Sequence, residues 1–385
     1  MSAPIVVVGA GVVGASVAWH LARRGREVVL LDRSSGPGQG STGRATGGFR
    51  AQYATPINIR LSLLAREKLR TFRRDTGVDP GYDPAGYLWL ASTEAELAVL
   101  RAGQAVQHQE GLTEAVQVGP EGVARLNPAL CLDEVVGGVF CPTDGFVRPG
   151  AILAGYLEAA QRLGATLHWE VEATGFARRS DGGITAVRTA QGDLPCTAVV
   201  NAAGPWAAAL AARAGVEIPV AAIRRQVAAT APFAGLPASM PMTIFAGDGF
   251  HLRVRDGRVL LLWPTPGVPG QPFEDRVEAE WVEAVVEKAH RRVPVLRETG
   301  IERDACWGGL YEVTPDKHAI LGAAPGCANL FLANGSSGHG VMHAPALGHL
   351  LAEIICDGAA STLDVSPLRP ERFAEGALNP VSELL

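Results

Sequence analysis

The chain has 385 residues, 47% of them hydrophobic and 19% charged, with 46 glycines and 26 prolines in no fixed period. That length sustains roughly two domains with ordinary cores, and aperiodic glycine and proline exclude a collagen-like chain and mark many tight turns. A formal charge of −5 without any basic run excludes nucleic acid as the main partner.

Residues 4–8 are an apolar, mostly β-branched run, the pattern of a strand buried on both faces. A glycine turn follows at 9–14, then a helix over 12–24 with Gly25 placed to end it, and a second strand over 27–31 closing in Asp32. A loop rich in Ser, Gly and Pro runs from 34 to 41 and leads into Gly43-Arg44-Ala45-Thr46-Gly47-Gly48-Phe49-Arg50. Helices are predicted over 58–73, 93–109 and 149–162, and strands over 82–91, 166–171, 184–189 and 197–202. From about 218 to 265 the pattern alternates, and Asp256-Gly257 between two apolar runs predicts a hairpin. An amphipathic helix is predicted over 274–291 and a strand over 330–333. After a Gly-rich turn comes a closing helix whose apolar run, 342–355, is broken by His343, His349 and Glu353, so it is not a membrane span. Strand–helix segments at both ends and in the middle, with antiparallel segments inserted, imply two interleaved domains.

The six cysteines form no CxxC pair, which speaks against a zinc ribbon or a dithiol motif and fits a reducing cytosol. The run at 5–8 is too short for a signal segment. His339 and His343 are four apart, but no third metal ligand accompanies them, and no metal is expected. Only Lys68, Lys288 and Lys317 are lysines; the other 31 basic residues are arginine. Any chemistry that needs a lysine has three places to find one.

Gly9, Gly11 and Gly14 form a GxGxxG turn between a strand and a helix, with an acid, Asp32, 21 residues after Gly11. This is the full context of a dinucleotide fingerprint. Gly9 permits the tight turn, Gly11 lets a pyrophosphate approach the helix N-terminus, and Gly14 permits close helix–strand packing. Asp32 is expected to accept ribose hydroxyls. FAD is favoured over NAD because no second complete copy appears and a second Gly-rich turn, at 335–340, opens another helix. Such a helix start stabilises the negative charge of a reduced flavin.

On these residues the sequence resembles the FAD-dependent amine oxidoreductases of the D-amino acid oxidase superfamily, and within it the branch of sarcosine oxidase β-subunits and proline dehydrogenases. The carriers are the turn at 9–14 with Asp32, Gly40-Ser41-Thr42-Gly43-Arg44 with Gly48-Phe49-Arg50, Asn201-Ala202-Ala203-Gly204-Pro205-Trp206, residues 309–316, and Gly338-His339-Gly340 leading into Met342. The resemblance implies an α/β (mixed α+β) fold. A Rossmann-like FAD-binding domain (1–80, 146–215 and 302–385) is interleaved with a substrate domain (81–145 and 216–301) built on a large antiparallel sheet. It implies oxidation of a C–N bond by hydride transfer to flavin N5, a small amine or amino acid substrate, and an electron acceptor such as O₂, a quinone or a partner redox protein. A homo- or hetero-oligomer in the cytoplasm fits this class.

Motif and resemblance together give as FAD contacts Gly9, Gly11, Val12, Val13, Gly14, Asp32 and Arg33; Ser41, Thr42, Arg44, Ala45, Gly47 and Gly48; Val171, Ala203, Gly204 and Trp206; and Gly309, Tyr311, Gly338, His339, Gly340, Val341 and Met342. Arg50 matches the position that holds a substrate carboxylate, a task suited to its planar fork. Tyr311 matches an active-site tyrosine, His339 borders the flavin, and His251 stands where a base near neutrality would take the ammonium proton.

Three departures matter. Where covalent relatives carry the tethering cysteine, two residues before Tyr311, this chain has Gly309, so non-covalent FAD is expected. Where sarcosine oxidases add a lysine to the carboxylate site, it has Met342. The strand 259–262 lacks the lysine that speeds reaction with O₂, so a dehydrogenase is expected rather than a fast oxidase. Two further readings stay open on sequence: a flavoenzyme for hydroxy acids or alcohols, and a FAD-binding subunit of a hetero-oligomeric dehydrogenase.

Overall fold

A computed structural model describes residues 3–265 and 275–381. Its organising element is Ile5–Val8, with all four residues buried and parallel neighbours on both sides, Val28–Leu31 and Ala198–Asn201. Thr166–His168 and Cys327–Asn334 extend this sheet in parallel, and Ile320–Ala324 adds an antiparallel edge, giving six strands. The continuous apolar run at 5–8 follows from cover on both faces. Ile5 and Val7 enter the core with Trp19, Tyr156 and Leu347, whereas Val6 and Val8 pack with Phe176, Val187 and Leu210.

The helices Val12–Arg23, Pro149–Arg162 and Gly340–Asp357 cover the first face. The first and the closing helix touch almost backbone to backbone. Ser16 Oγ donates to the Ala344 carbonyl at 2.8 Å, and a Cβ on Gly348 would come within 2.2 Å of that same hydroxyl. Their starts also lie side by side, since a Cβ on Gly340 would be 3.9 Å from a Val13 methyl.

The second sheet has eight strands, in the order Trp307–Val313, Ala221–Ala229, Arg258–Leu262, His251–Arg255, Met242–Phe245, Tyr87–Ala91, Gly137–Cys141 and Val116–Val118. The Asp256-Gly257 hairpin is present, and both residues take positive φ, 50° and 74°, as a type I′ turn requires. The sheet is not wholly antiparallel as expected. Met242–Phe245 runs parallel to Tyr87–Ala91, because the two strands belong to separate excursions of the chain. Trp307–Val313 is an edge of this sheet, although the sequence division assigned everything from 302 onward to the cofactor domain.

Paired residues of neighbouring strands share a face. One row therefore runs Trp89, Ile244, His251, Leu262, Val227, Trp307 across six strands, and the next pairs Arg225 with Gly309. This face looks toward the glycine turns.

Other boundaries differ locally. The predicted strand 82–91 begins only at Tyr87, after Gly86 at φ 94°, and the strand predicted over 166–171 ends at His168 before Glu170 turns to φ 58°. The helix expected from 274 is Ala279–Arg292, residue 274 itself lying outside the described residues. The glycine-bearing strand Gly137–Cys141 and the three-residue strand Val116–Val118 were too short or too broken to read. No helix among the described residues is long and apolar enough to cross a membrane.

Candidate active site

The dinucleotide turn has the geometry its glycines imply. Gly9 sits at φ 106°, and a Cβ there would lie 2.3 Å from the Ala202 carbonyl oxygen. A Cβ on Gly14 would lie 1.9 Å from the Gly9 carbonyl oxygen, so Gly14 sets the approach of helix to strand. Gly11 caps the first helix, whose opening turn carries no acid, and the Val12 N–H donates to Thr42 Oγ1 at 3.1 Å. Asp32 closes its strand by accepting the Ala10 and Ser34 N–H groups at 2.8 Å each. Its carboxylate faces the cavity beside Arg33, which stacks on Trp206 at 3.9 Å.

One cavity of about 560 Å³ runs from this turn to the eight-stranded sheet. Every proposed site residue lines it except Gly14, which lies behind the turn. The far end opens on the start of the closing helix, where His339 is the cap and no acid occupies the first turn. A cradle of glycines, a ribose-facing carboxylate and two helix starts fits a dinucleotide that ends in a flavin.

Between that helix start and the sheet lie the candidate substrate groups. Arg50 is only 5% exposed, stacks on Tyr53 at 4.2 Å and faces Trp89 at 5.2 Å. Its guanidinium donates to the Gln52 carbonyl at 3.1 Å and to His339 Nε2 at 3.3 Å. No carboxylate lies within ion-pair distance of it among the described residues. An arginine only donates, so His339 Nε2 is the bare nitrogen and the ring is neutral; burial, then Arg50, holds its pKa well below the ordinary value. The buried Asp144 carboxylate accepts the Ala51 and Gln52 N–H groups at 2.7 and 3.2 Å and thereby fixes the segment that carries Arg50.

His251 Nδ1 donates to the Gly249 carbonyl at 2.8 Å, which leaves Nε2 as an acceptor in the cavity wall. Burial first, and Arg50 as a lesser cause, lower its pKa to about 4. The expectation of a base near neutrality is therefore corrected. A ring of such low basicity is a poor acceptor for the proton of an alkyl ammonium. His251 is thus a neutral ring whose Nε2 can accept a hydrogen bond. Tyr311 packs its ring against Gly338, where a Cβ would come within 2.3 Å of it.

Sequence reasoning missed Trp89, Ile244 and Leu262, cavity residues contributed by separate strands, Trp263 just past the end of one of them, and Arg225. Arg225 carried a signal: a charge inside an alternating segment, on the side its strand turns to the cavity. Lys288 pairs with Asp248 at 2.8 Å and lies 4.4 Å over the ring of Trp263. Lys317 is the one lysine among the cavity residues. Among the described residues no cysteine lines the cavity, and Cys306 is turned away, accepting the Ala229 N–H. The described residues contain no cluster of three metal-ligating side chains.

Fold and cavity together define a flavoprotein. The profile of the FAD dependent oxidoreductase family (DAO) matches residues 4–354, and the chain belongs to that family. It is 30% identical over 377 residues to glycine oxidase of Geobacillus kaustophilus, covering 94% of this chain and 95% of that protein. It is 28% identical to mitochondrial dimethylglycine dehydrogenase of Homo sapiens, spanning 99% of this chain but 45% of that protein. The crystal structure of L-proline dehydrogenase from P. horikoshii superposes with a TM-score of 0.91 at 28% identity, covering 98% of this chain and 99% of the other. The protein is thus a FAD-dependent oxidoreductase of the DAO superfamily, with FAD held non-covalently.

Proposed function

We propose that this enzyme oxidises the C–N bond of a secondary or N-substituted amino acid, of the sarcosine, proline or opine type, and works as a dehydrogenase. The observation that carries this reading is Arg50, a buried guanidinium with no carboxylate partner among the described residues, set beside a neutral histidine acceptor in the same cavity. A charge in such a place is costly unless a ligand pairs with it.

In this reading Arg50 takes the substrate carboxylate, His339 holds Arg50 in place, and His251 Nε2 orients the amine lone pair. Tyr311 closes one side of the cavity. FAD, when bound, supplies the two-electron acceptor for the hydride that leaves the carbon beside nitrogen. Electrons then pass to a quinone or a partner redox protein, or slowly to O₂, since no lysine stands on the strand Arg258–Leu262. We assign residues 1–80, 146–215 and 302–385 to the cofactor-binding domain, which lends Trp307–Val313 to the substrate sheet, and 81–145 with 216–301 to the substrate domain. The six free cysteines support a cytoplasmic setting.

The test is anaerobic bleaching of the flavin by sarcosine, L- and D-proline, N-alkyl amino acids and opines against a matched panel of hydroxy acids, repeated in air. Bleaching by amines, with turnover much faster on an artificial acceptor than in air, is expected. Bleaching by hydroxy acids alone would overturn the reading.

A further inference from the structure

We propose that Arg225 is a second carboxylate-binding residue, and that the preferred substrate is an N-carboxyalkyl amino acid with one acidic group on Arg50 and the other on Arg225. This rests on the secondary amino acid reading above and narrows it.

Arg225 lies on Ala221–Ala229 opposite Gly309, in the row of residues that faces the cavity. Its guanidinium sits 5.7 Å from the ring of Tyr311. Nη1 donates to the carbonyls of Arg224 and Thr265 at 3.3 and 3.1 Å. Among the described residues Nε and Nη2 have no protein acceptor, and no carboxylate lies within ion-pair distance. The neighbouring Arg224 differs, because it points the other way and pairs with Glu278. Burial depresses the pKa of Arg225, with only Tyr311 opposing. A half-satisfied guanidinium fork in a cavity wall is a receptor for a bidentate anion.

The sheet gives the spacing. His251 lies two strands from Arg225, about 10 Å at ordinary strand separation, and Trp89, which Arg50 faces, lies two strands further in the same direction. The amine acceptor therefore stands between the two cations. An α-carboxylate reaches only one of them from an amine held at His251. The other is reached by an acidic group on the nitrogen substituent.

The test compares N-(2-carboxyethyl)glycine with N-propylglycine on the holoenzyme, read as anaerobic flavin reduction. The expected result is a preference of about tenfold or more in kcat/KM for the carboxylated compound. Arg225→Gln should erase that preference, mostly through KM, while leaving N-propylglycine within about twofold and the flavin spectrum unchanged; Arg225→Lys should restore part of it. Should Arg225→Gln fail to fold, perturbation of the wild-type flavin spectrum decides, with glutarate expected to bind more tightly than butyrate. Equal rates for the two amines, equal binding of the two acids, or an Arg225→Gln variant that loses flavin would each overturn the proposal. If neither amine reduces the flavin, the secondary amino acid reading itself fails.

Discussion

The two walls of the cavity are built by different means. The cofactor wall is backbone: glycine turns, helix starts and a carboxylate spent on N–H groups. The substrate wall is side chain, a row of residues from six strands that meet only through long-range pairing. Backbone geometry tolerates few residue types, whereas a sheet face tolerates many. The first wall is therefore fixed in kind, and the second is where chemistry and specificity are set.

The sharpest way to break this contrast is on the cofactor wall. Gly9→Val, with its Cβ 2.3 Å from the Ala202 carbonyl oxygen and its φ at 106°, is expected to weaken FAD binding by more than about a thousandfold. Flavin absorbance per folded protein measures it. On the substrate wall the cofactor should stay while turnover falls. Arg50→Gln removes the buried cation and is expected to cost about 3–5 kcal/mol, roughly a hundredfold to several thousandfold in kcat/KM for a carboxylate substrate, with full flavin content.

His251→Ala deletes one neutral hydrogen bond, and about a tenfold loss in the rate of flavin reduction is expected. Whether the pH effect survives the substitution separates its two conceivable roles. With a pKa of about 4, His251 is neutral throughout pH 5 to 8. Reduction should rise with pH over that range as the amine deprotonates, and the variant should keep the same rise. A limb that vanished with His251 would make it the base after all. Tyr311→Phe is the mildest change, roughly threefold in kcat/KM, and a much larger loss would move Tyr311 from wall to chemistry.

The same contrast explains what could be read in advance. Gly9, Gly11, Gly14 and Asp32 were legible because a pyrophosphate seat demands those residues at that spacing. Arg50, His251 and Tyr311 were reached only through resemblance, since nothing local sets them apart. Trp89 and Arg225 were not reached, because their place depends on register: Trp89 joins the row only through Ile244, 155 positions along the chain. The parallel pair in the substrate sheet was hidden for the same reason.

The adjacent starts of the first and closing helices carry a last consequence. Each helix start is worth about half an elementary charge, and the two lie side by side, with Val13 and Gly340 nearly in van der Waals contact. Together they amount to roughly one fixed cation made of peptide groups. A chain with three lysines thus gains a positive pole that has no pKa, cannot be acetylated, and keeps its strength at any pH at which the protein stays folded.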